Sequence, residues 1–289
     1  MKENRAAKLG LAFCMAVFGT ISIFVKGIDL PTSEIALYRA AIACVVLLVY
    51  LALTGRLSRL TALRGKGALL FFSGAAMGFN WIFLFTAYRY TTVALSTLAY
   101  YFSPTLVVLG SVVLFREKLT IRQILCFLGS TAGLVMIVGL RGGGSRDLTG
   151  LLFGLLAALL YTVVVLCNKK TGDVDGAVRT WVQLFAAAIV IAPYVALTGG
   201  FHLKGLDPVG WANLLVIGAG FTGLLYTIYF SAVSRLPGQQ TAVLSYIDPA
   251  VSVLVSVFWL REPITVVQLL GGAMILAFAL LNELGSAGK

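Results

Sequence analysis

Tyr100-Tyr101-Phe102-Ser103-Pro104, followed by an apolar run that closes on Arg116-Glu117-Lys118-Leu119-Thr120, occurs twice in this chain. A shift of 145 residues reproduces it as Ser245-Tyr246-Ile247-Asp248-Pro249, a second apolar run, and Arg261-Glu262-Pro263-Ile264-Thr265. Between residues 100 and 125 and their shifted partners, 11 of 26 positions are identical, among them Tyr101, Pro104, Ser111, Arg116, Glu117, Thr120 and Gln123. Apolar composition alone gives far fewer matches, so the stretch marks an internal duplication.

The rest of the chain has the composition of a lipid-embedded protein. Hydrophobic residues make up 60% of the 289 and charged residues 11%, with a mean hydropathy of +0.97. A soluble domain of this length needs far more surface charge, so the fold class is an all-α integral membrane protein. About 20 apolar residues cross a bilayer, and ten segments qualify, near 8–27, 32–53, 67–88, 91–115, 121–140, 148–168, 177–198, 209–233, 238–260 and 264–283. The first is too long for the hydrophobic region of a signal peptide and no small-x-small site follows it, so it is expected to stay in the protein.

Orientation follows from the basic residues. With the N-terminus in the cytoplasm, 15 Lys and Arg fall on the inner side and 7 on the outer, which places both termini inside. The net charge of +11 is therefore a topology signal and no nucleic-acid partner is expected. Five spans per copy is an odd number, so the copies point in opposite directions: 1–140 forms the first repeat, 141–147 a Gly-rich linker and 148–289 the second. Inverted-topology repeats are an architecture of transporters that bind substrate near the midplane.

The linker Arg141-Gly-Gly-Gly-Ser-Arg-Asp147 matches neither GxxxxGK[ST] nor GxGxxG and is read as a connector, not a phosphate loop. Small-xxx-small pairs at Gly74 and Gly78, Gly129 and Gly133, and Gly150 and Gly154 favour close helix packing, with a homodimer as the other reading. Cys14, Cys44, Cys126 and Cys167 lie in apolar spans without CxxC spacing, so neither disulfides nor a metal site is expected. His202 is the single histidine and sits in a predicted outer loop. No nucleophile system, HExxH motif or cofactor loop can be assembled, and an enzyme is not expected.

The spans do carry polar and aromatic faces. In the ninth, Thr241, Ser245, Asp248, Ser252 and Ser256 recur at helical steps, and subtracting 145 gives Ser96, Tyr100, Ser103, Val107 and Ser111 in the fourth. These stripes line a path from both halves, or their hydroxyls bond back to their own helices and across to neighbours. Pro104 and Pro249 kink the two helices, freeing the carbonyls of Tyr100 and Ser245.

Asp248 is the one carboxylate placed deep in a span, where a charge costs about 2.5 to 3.5 kcal/mol on insertion scales and marks a functional site by default. It is read as a proton carrier or as the partner of a cationic solute group, against a structural carboxylate met by neighbours. Glu34 and Arg39 sit nearer the outer end of the second span, where they snorkel or pair locally. Trp81 and its shifted counterpart Tyr226, with Asn80, Tyr100 and Tyr161, are placed to wall a cavity and to offer faces to an ammonium group. Tyr88 and Tyr101 are read as interface anchors or packing.

Two five-helix units, each with Pro in the fourth helix and then the Arg-Glu phrase before the fifth, resemble the EamA-type branch of the drug/metabolite transporter superfamily across nearly the whole chain. Arg39 also resembles a position often basic in that family. The resemblance implies ten helices and a central cavity framed by helices 1, 3, 4, 6, 8 and 9. It further implies alternating access for amino acids, amines or other metabolites in the cytoplasmic membrane of a prokaryote. An acidic or small polar residue before the Pro is common there, which gives Asp248 an architectural reading as well. The expectation is a secondary transporter of a small polar organic solute bound by Trp81, Asn80, Tyr100, Ser103, Tyr161, Tyr226, Ser245, Asp248 and Ser252, with protons as a coupling ion through Asp248. A lipid translocase or a membrane assembly subunit is the alternative.

Overall fold

The computed structural model describes residues 2–61, 63, 65–116, 118–139, 145–172, 174–233, 235–236 and 238–286. Glu117 and residues 141–144 of the expected linker lie outside them. Residues 145–147 of that linker open a helix, with Asp147 in its first turn accepting from the Thr91 hydroxyl at 2.9 Å.

Among the described residues every regular element is helical, and ten stretches follow the chain. They are α1 (Lys2–Phe18 and Ile21–Lys26), α2 (Thr32–Leu53), α3 (Gly67–Tyr90), α4 (Val93–Tyr100 and Ser103–Phe115), α5 (Ile121–Gly139), α6 (Ser145–Thr171), α7 (Gly176–Thr198), α8 (Pro208–Leu215, Val216–Leu224 and Leu225–Val233), α9 (Gly238–Ser245, Ile247–Leu254 and Val255–Trp259) and α10 (Val266–Ser286). Seven of these are long and apolar enough to cross a membrane, while α5, α9 and α10 are apolar over shorter windows. Leu48, Val113, Leu197 and Phe258 are among the many large apolar side chains left exposed, as befits helices solvated by lipid.

Helix packing maps onto itself when the halves are exchanged. Three contacts pair a helix with its counterpart 145 residues on: α2 with α7, α4 with α9, and α5 with α10. The others exchange: α3 packs on α6 and α7 as α8 packs on α1 and α2, and α4 packs on α6 as α9 packs on α1. Local detail repeats too. Among the described residues, Arg116 and Arg261 are the non-glycine residues with left-handed backbone, at φ 56° and 54°. Thr120 and Thr265 each donate a backbone N–H to the side chain of Gln123 or Gln268 at 2.9 Å, and each Gln returns its own N–H to the Thr hydroxyl at 3.3 Å. This is a reciprocal capping box, written in sequence as T-x-x-Q at the start of α5 and α10.

The largest apolar core joins α2, α3, α7 and α8 around Leu47, Phe85, Leu184, Ile191, Leu214 and Ile217. Close approach of helices, in this core at α3–α7 and outside it at α5–α10, depends on missing side chains. A Cβ built on Gly74 would stand 2.4 Å from the Gln183 carbonyl oxygen, and one on Gly133 would stand 2.5 Å from that of Gly271. Gly78, Gly129 and Gly154 likewise meet other helices of the same chain and Gly150 meets Thr91 at the α3–α4 junction, so all six glycines of the three pairs act in intramolecular packing. Gly74→Ala is expected to destabilise the fold by about 1–3 kcal/mol, the usual cost of overpacking, because the obstructing atoms are backbone. A lowered midpoint of thermal unfolding in detergent is the readout, and an unchanged midpoint contradicts the α3–α7 contact.

Candidate functional site

α4 and α9 are each broken one turn ahead of their proline. Ser103–Phe115 starts anew with Pro104 in its first turn, and Ile247–Leu254 does the same with Pro249. Proline suits that position because the first turn has no intrahelical acceptor for its N–H. Tyr101 and Tyr246, equivalent in the duplication, occupy the two breaks with ring centroids 6.2 Å apart. The break also puts Asp248 in a first helical turn, where free backbone N–H groups favour a carboxylate. Its Oδ2 accepts from the Tyr101 hydroxyl at 2.9 Å. On the other side, Gly19 at the break in α1 brings that helix against the backbone: a Cβ there would stand 2.6 Å from the Asp248 carbonyl oxygen.

An aromatic wall faces this carboxylate. Tyr100 packs on Tyr101 at 5.8 Å and on Tyr161 of α6 at 5.5 Å. Tyr226 of α8 packs on Phe18 at 5.6 Å. Tyr88 and Tyr226 lie within electrostatic reach of both Asp248 and Arg39, and Tyr100 within reach of Asp248, Tyr161 and Tyr226.

Arg39 is the residue the sequence placed wrongly. It does not snorkel: only 6% of it is exposed, its guanidinium carbon lies 4.1 Å above the Trp81 ring, and Nε donates to the Thr222 hydroxyl at 2.7 Å. At 1.5 Å per residue it sits about 10 Å along α2 from Thr32, deeper than a span-end position suggests. Glu34 does pair locally. Fully buried, it accepts from the His202 backbone N–H at 2.9 Å and faces the ring Nδ1 at 2.6 Å.

Trp81, Tyr100, Tyr161, Tyr226 and Asp248 thus gather with Arg39, Tyr88 and Tyr101 around one centre, whereas the other expected residues are bonded within or between helices. Asn80 Nδ2 donates to the Ala157 carbonyl at 2.6 Å, joining α3 to α6, while its side chain also neighbours Tyr100. Ser103 is buried, its carbonyl accepting from Thr162 at 3.4 Å. Ser245 bonds back to the Thr241 carbonyl at 2.9 Å, and Ser252 meets the Thr97 hydroxyl at 3.0 Å across the α4–α9 seam.

The second copy of the Arg-Glu phrase closes the end of the bundle remote from the N-terminus. The left-handed backbone at Arg261 turns the chain back so that Glu262 Oε2 accepts from the Val93 backbone N–H at 2.7 Å and the Ser256 hydroxyl at 2.5 Å. Oε1 pairs with Lys26 of α1, and Ser256 accepts the Ala94 N–H at 3.1 Å. Around this clasp Val93, Thr97, Ser252 and Ser256 are buried, whereas Leu244, Ser245, Tyr246 and Asp248 toward the opposite end are half-buried.

A family model described as the EamA-like transporter family matches residues 6–139 and, separately, 148–283. The chain belongs to the EamA-like transporter family. This EamA-like protein is a multi-pass membrane protein of the drug/metabolite transporter superfamily, and the expectation from the Arg-Glu phrase and the paired prolines holds. It is 26% identical over 295 residues to the uncharacterized transporter YxxF of Bacillus subtilis (strain 168), covering 100% of this chain and 93% of the relative. An uncharacterized transporter of Archaeoglobus fulgidus is 25% identical over 280 residues, 96% of each chain. The threonine/homoserine exporter RhtA of Escherichia coli (strain K12) is 29% identical over 134 residues, 45% of this chain and 44% of RhtA. A crystal structure shares the fold of the EamA-like protein, with a TM-score of 0.65 at 21% identity and 96% coverage of both chains.

Proposed function

We propose that this EamA-like protein is a secondary transporter that moves a small polar organic metabolite across the cytoplasmic membrane of a prokaryote by alternating access. The observation that carries the reading is the carboxylate of Asp248, bonded to Tyr101 beside Tyr88, Tyr100 and Tyr226 at the break of a membrane helix. A charge at that depth is costly without a functional counterpart, and aromatic faces complete a seat for an amino or quaternary ammonium group. The name of the RhtA relative supports amino acids as the first class to try.

Residues 1–140 and 148–289 are the two repeats in this reading, inserted in opposite directions with both termini in the cytoplasm. The exchange symmetry of the helix contacts supports the inversion. Clasped at Glu262 and looser toward Ser245 and Tyr246, the structure corresponds to an inward-facing state, and α3 and α4 rock against α8 and α9 to reach the outward one. Flux of radiolabelled amino acids and amines into proteoliposomes tests the function, with empty liposomes as reference; no flux of any of them contradicts it. Coupling to protons through Asp248 predicts that an imposed pH gradient drives accumulation, and accumulation indifferent to the gradient excludes it.

One observation favours a second reading. An apolar crevice between α4, α5 and α10, lined by Val108, Leu109, Ile124 and Phe127, would accommodate an acyl chain and so fits a lipid translocase. Scrambling of a fluorescent phospholipid by protein that carries no solute is its signature.

A further inference from the structure

We propose that Arg39, its guanidinium carbon over the Trp81 ring, is the docking point for the solute's carboxylate, which makes the transported molecule one that bears an anionic as well as a cationic end. The inference rests on the reading of the Asp248 centre as a solute site and adds the second half of that site.

The argument begins with donors. A guanidinium has five N–H groups in a planar fork that matches a carboxylate through two parallel bonds. In Arg39 one of the five, on Nε, has a protein acceptor among the described residues. That acceptor is fixed in turn: the Thr222 hydroxyl donates its own proton to the Ile217 carbonyl at 2.8 Å, five residues back, so its lone pairs face Arg39. Thr222 belongs to the Val216–Leu224 segment, which is wound as a π-helix, a rare form that recurs at functional sites. Trp81 below and Phe85 at 5.7 Å hold the guanidinium plane by their ring faces. Among the described residues the terminal nitrogens, which suffice for an end-on bidentate contact with a carboxylate, have no protein acceptor, and no carboxylate lies within ion-pair distance of Arg39.

A purely structural cation would be expected to acquire a partner. Buried charges in membrane helices pair with one another or with backbone carbonyls unless they face a ligand path. Among the described residues Arg39 does neither, although Asp248 lies in the same bundle. Instead Tyr88 and Tyr226 are each within electrostatic reach of both charges. A guanidinium and a carboxylate in one aromatic-lined centre, with no ion pair between them among the described residues, describe a seat with opposite poles. Arg39 nearer the clasped end takes the anionic pole of the solute, and Asp248 the cationic pole.

The test is exchange in proteoliposomes, with each of the twenty amino acids as a competitor and, for the strongest, its carboxamide, in which the carboxylate is neutral and the amino group unchanged. For wild type the amide is expected to compete at least tenfold more weakly than the acid, a comparison that needs no variant. Arg39→Gln is expected to weaken the acid by at least tenfold and leave the amide unchanged, collapsing the ratio. Arg39→Lys, which keeps the charge but not the fork, falls between. Acid and amide competing equally in wild type overturns the assignment while leaving the transport reading intact, as does an undiminished ratio in a monodisperse Arg39→Gln preparation. Failure of every amino acid and amide to exchange in wild type overturns the transport reading and the inference with it.

Discussion

Asp248→Asn is expected to reduce solute flux in proteoliposomes at least tenfold, with the protein still monodisperse and its thermal midpoint unchanged or raised. The substitution is close to isosteric and keeps a side-chain oxygen for the Tyr101 hydroxyl, so the α4–α9 contact survives. What disappears is the negative charge. If that charge serves only the architecture, the neutral amide serves as well, because isolating a carboxylate from water costs several kcal/mol that its attraction to partners must offset. Stability retained and transport lost is therefore the signature of a carboxylate kept for its ligand. Full transport in the variant removes Asp248 from the site.

Glu262→Ala carries the second large effect. In the clasped state its two oxygens hold a backbone N–H of α4, a hydroxyl of α9 and the ammonium of Lys26 on α1, three separate elements at one end of the bundle. A buried donor left unmatched costs about 1–3 kcal/mol, and Val93 is fully buried. Lys26 adds less, since a third of its side chain meets solvent. In a state opened at the clasped end water would satisfy the same groups, so the loss falls on the clasped state alone. A bias of about 1–3 kcal/mol corresponds to a 5- to 150-fold change in population ratio. An impermeant thiol reagent applied from outside is expected to label a cysteine at Ser252 faster by a factor in that range when Glu262 is Ala. Glu262→Gln, which keeps an acceptor for Val93, is expected to lie between. Unchanged labelling rates show that the clasp does not govern opening.

Much of this molecule could be read from residue order. The duplication, the proline breaks and the T-x-x-Q caps are local patterns, and local patterns survive translation into helices unchanged. Asp248 was legible because a lone carboxylate in an apolar run has few explanations. Arg39 was not, since a basic residue seven positions into a span reads as a topology signal, and its depth depends on Trp81 and Thr222 arriving from two other helices. For the Ser stripe the structure selects the second of the two readings that spacing left open, hydroxyls bonded back to their own helix and across to a neighbour. Helical spacing correctly put Ser252 and Ser256 on one face, but that face meets α4 at Thr97 and Ala94, so its hydroxyls are taken up in a seam. Of the two readings open for Tyr88 and Tyr101, interface anchor or packing, Tyr88 takes packing, buried in the core against Phe85, while the break in α4 brings Tyr101 onto the carboxylate. For the Arg-Glu phrase the sequence announced importance without mechanism, because a left-handed residue other than glycine leaves no mark in composition.

Ser245 and Ser252 stand on either side of Asp248 in α9, the first half-buried toward the end of the bundle that holds the N-terminus and the second buried beneath the clasp. Single cysteines at the two positions, in a chain whose Cys14, Cys44, Cys126 and Cys167 have been replaced, can be labelled with an impermeant thiol reagent from each side of oriented vesicles. Alternating access predicts that Ser245→Cys reacts from the cytoplasmic side and Ser252→Cys from the outer side, each slowed by saturating transported solute. Ser252→Cys unreactive from outside under every condition, or both cysteines reactive from one side at equal rates, contradicts it.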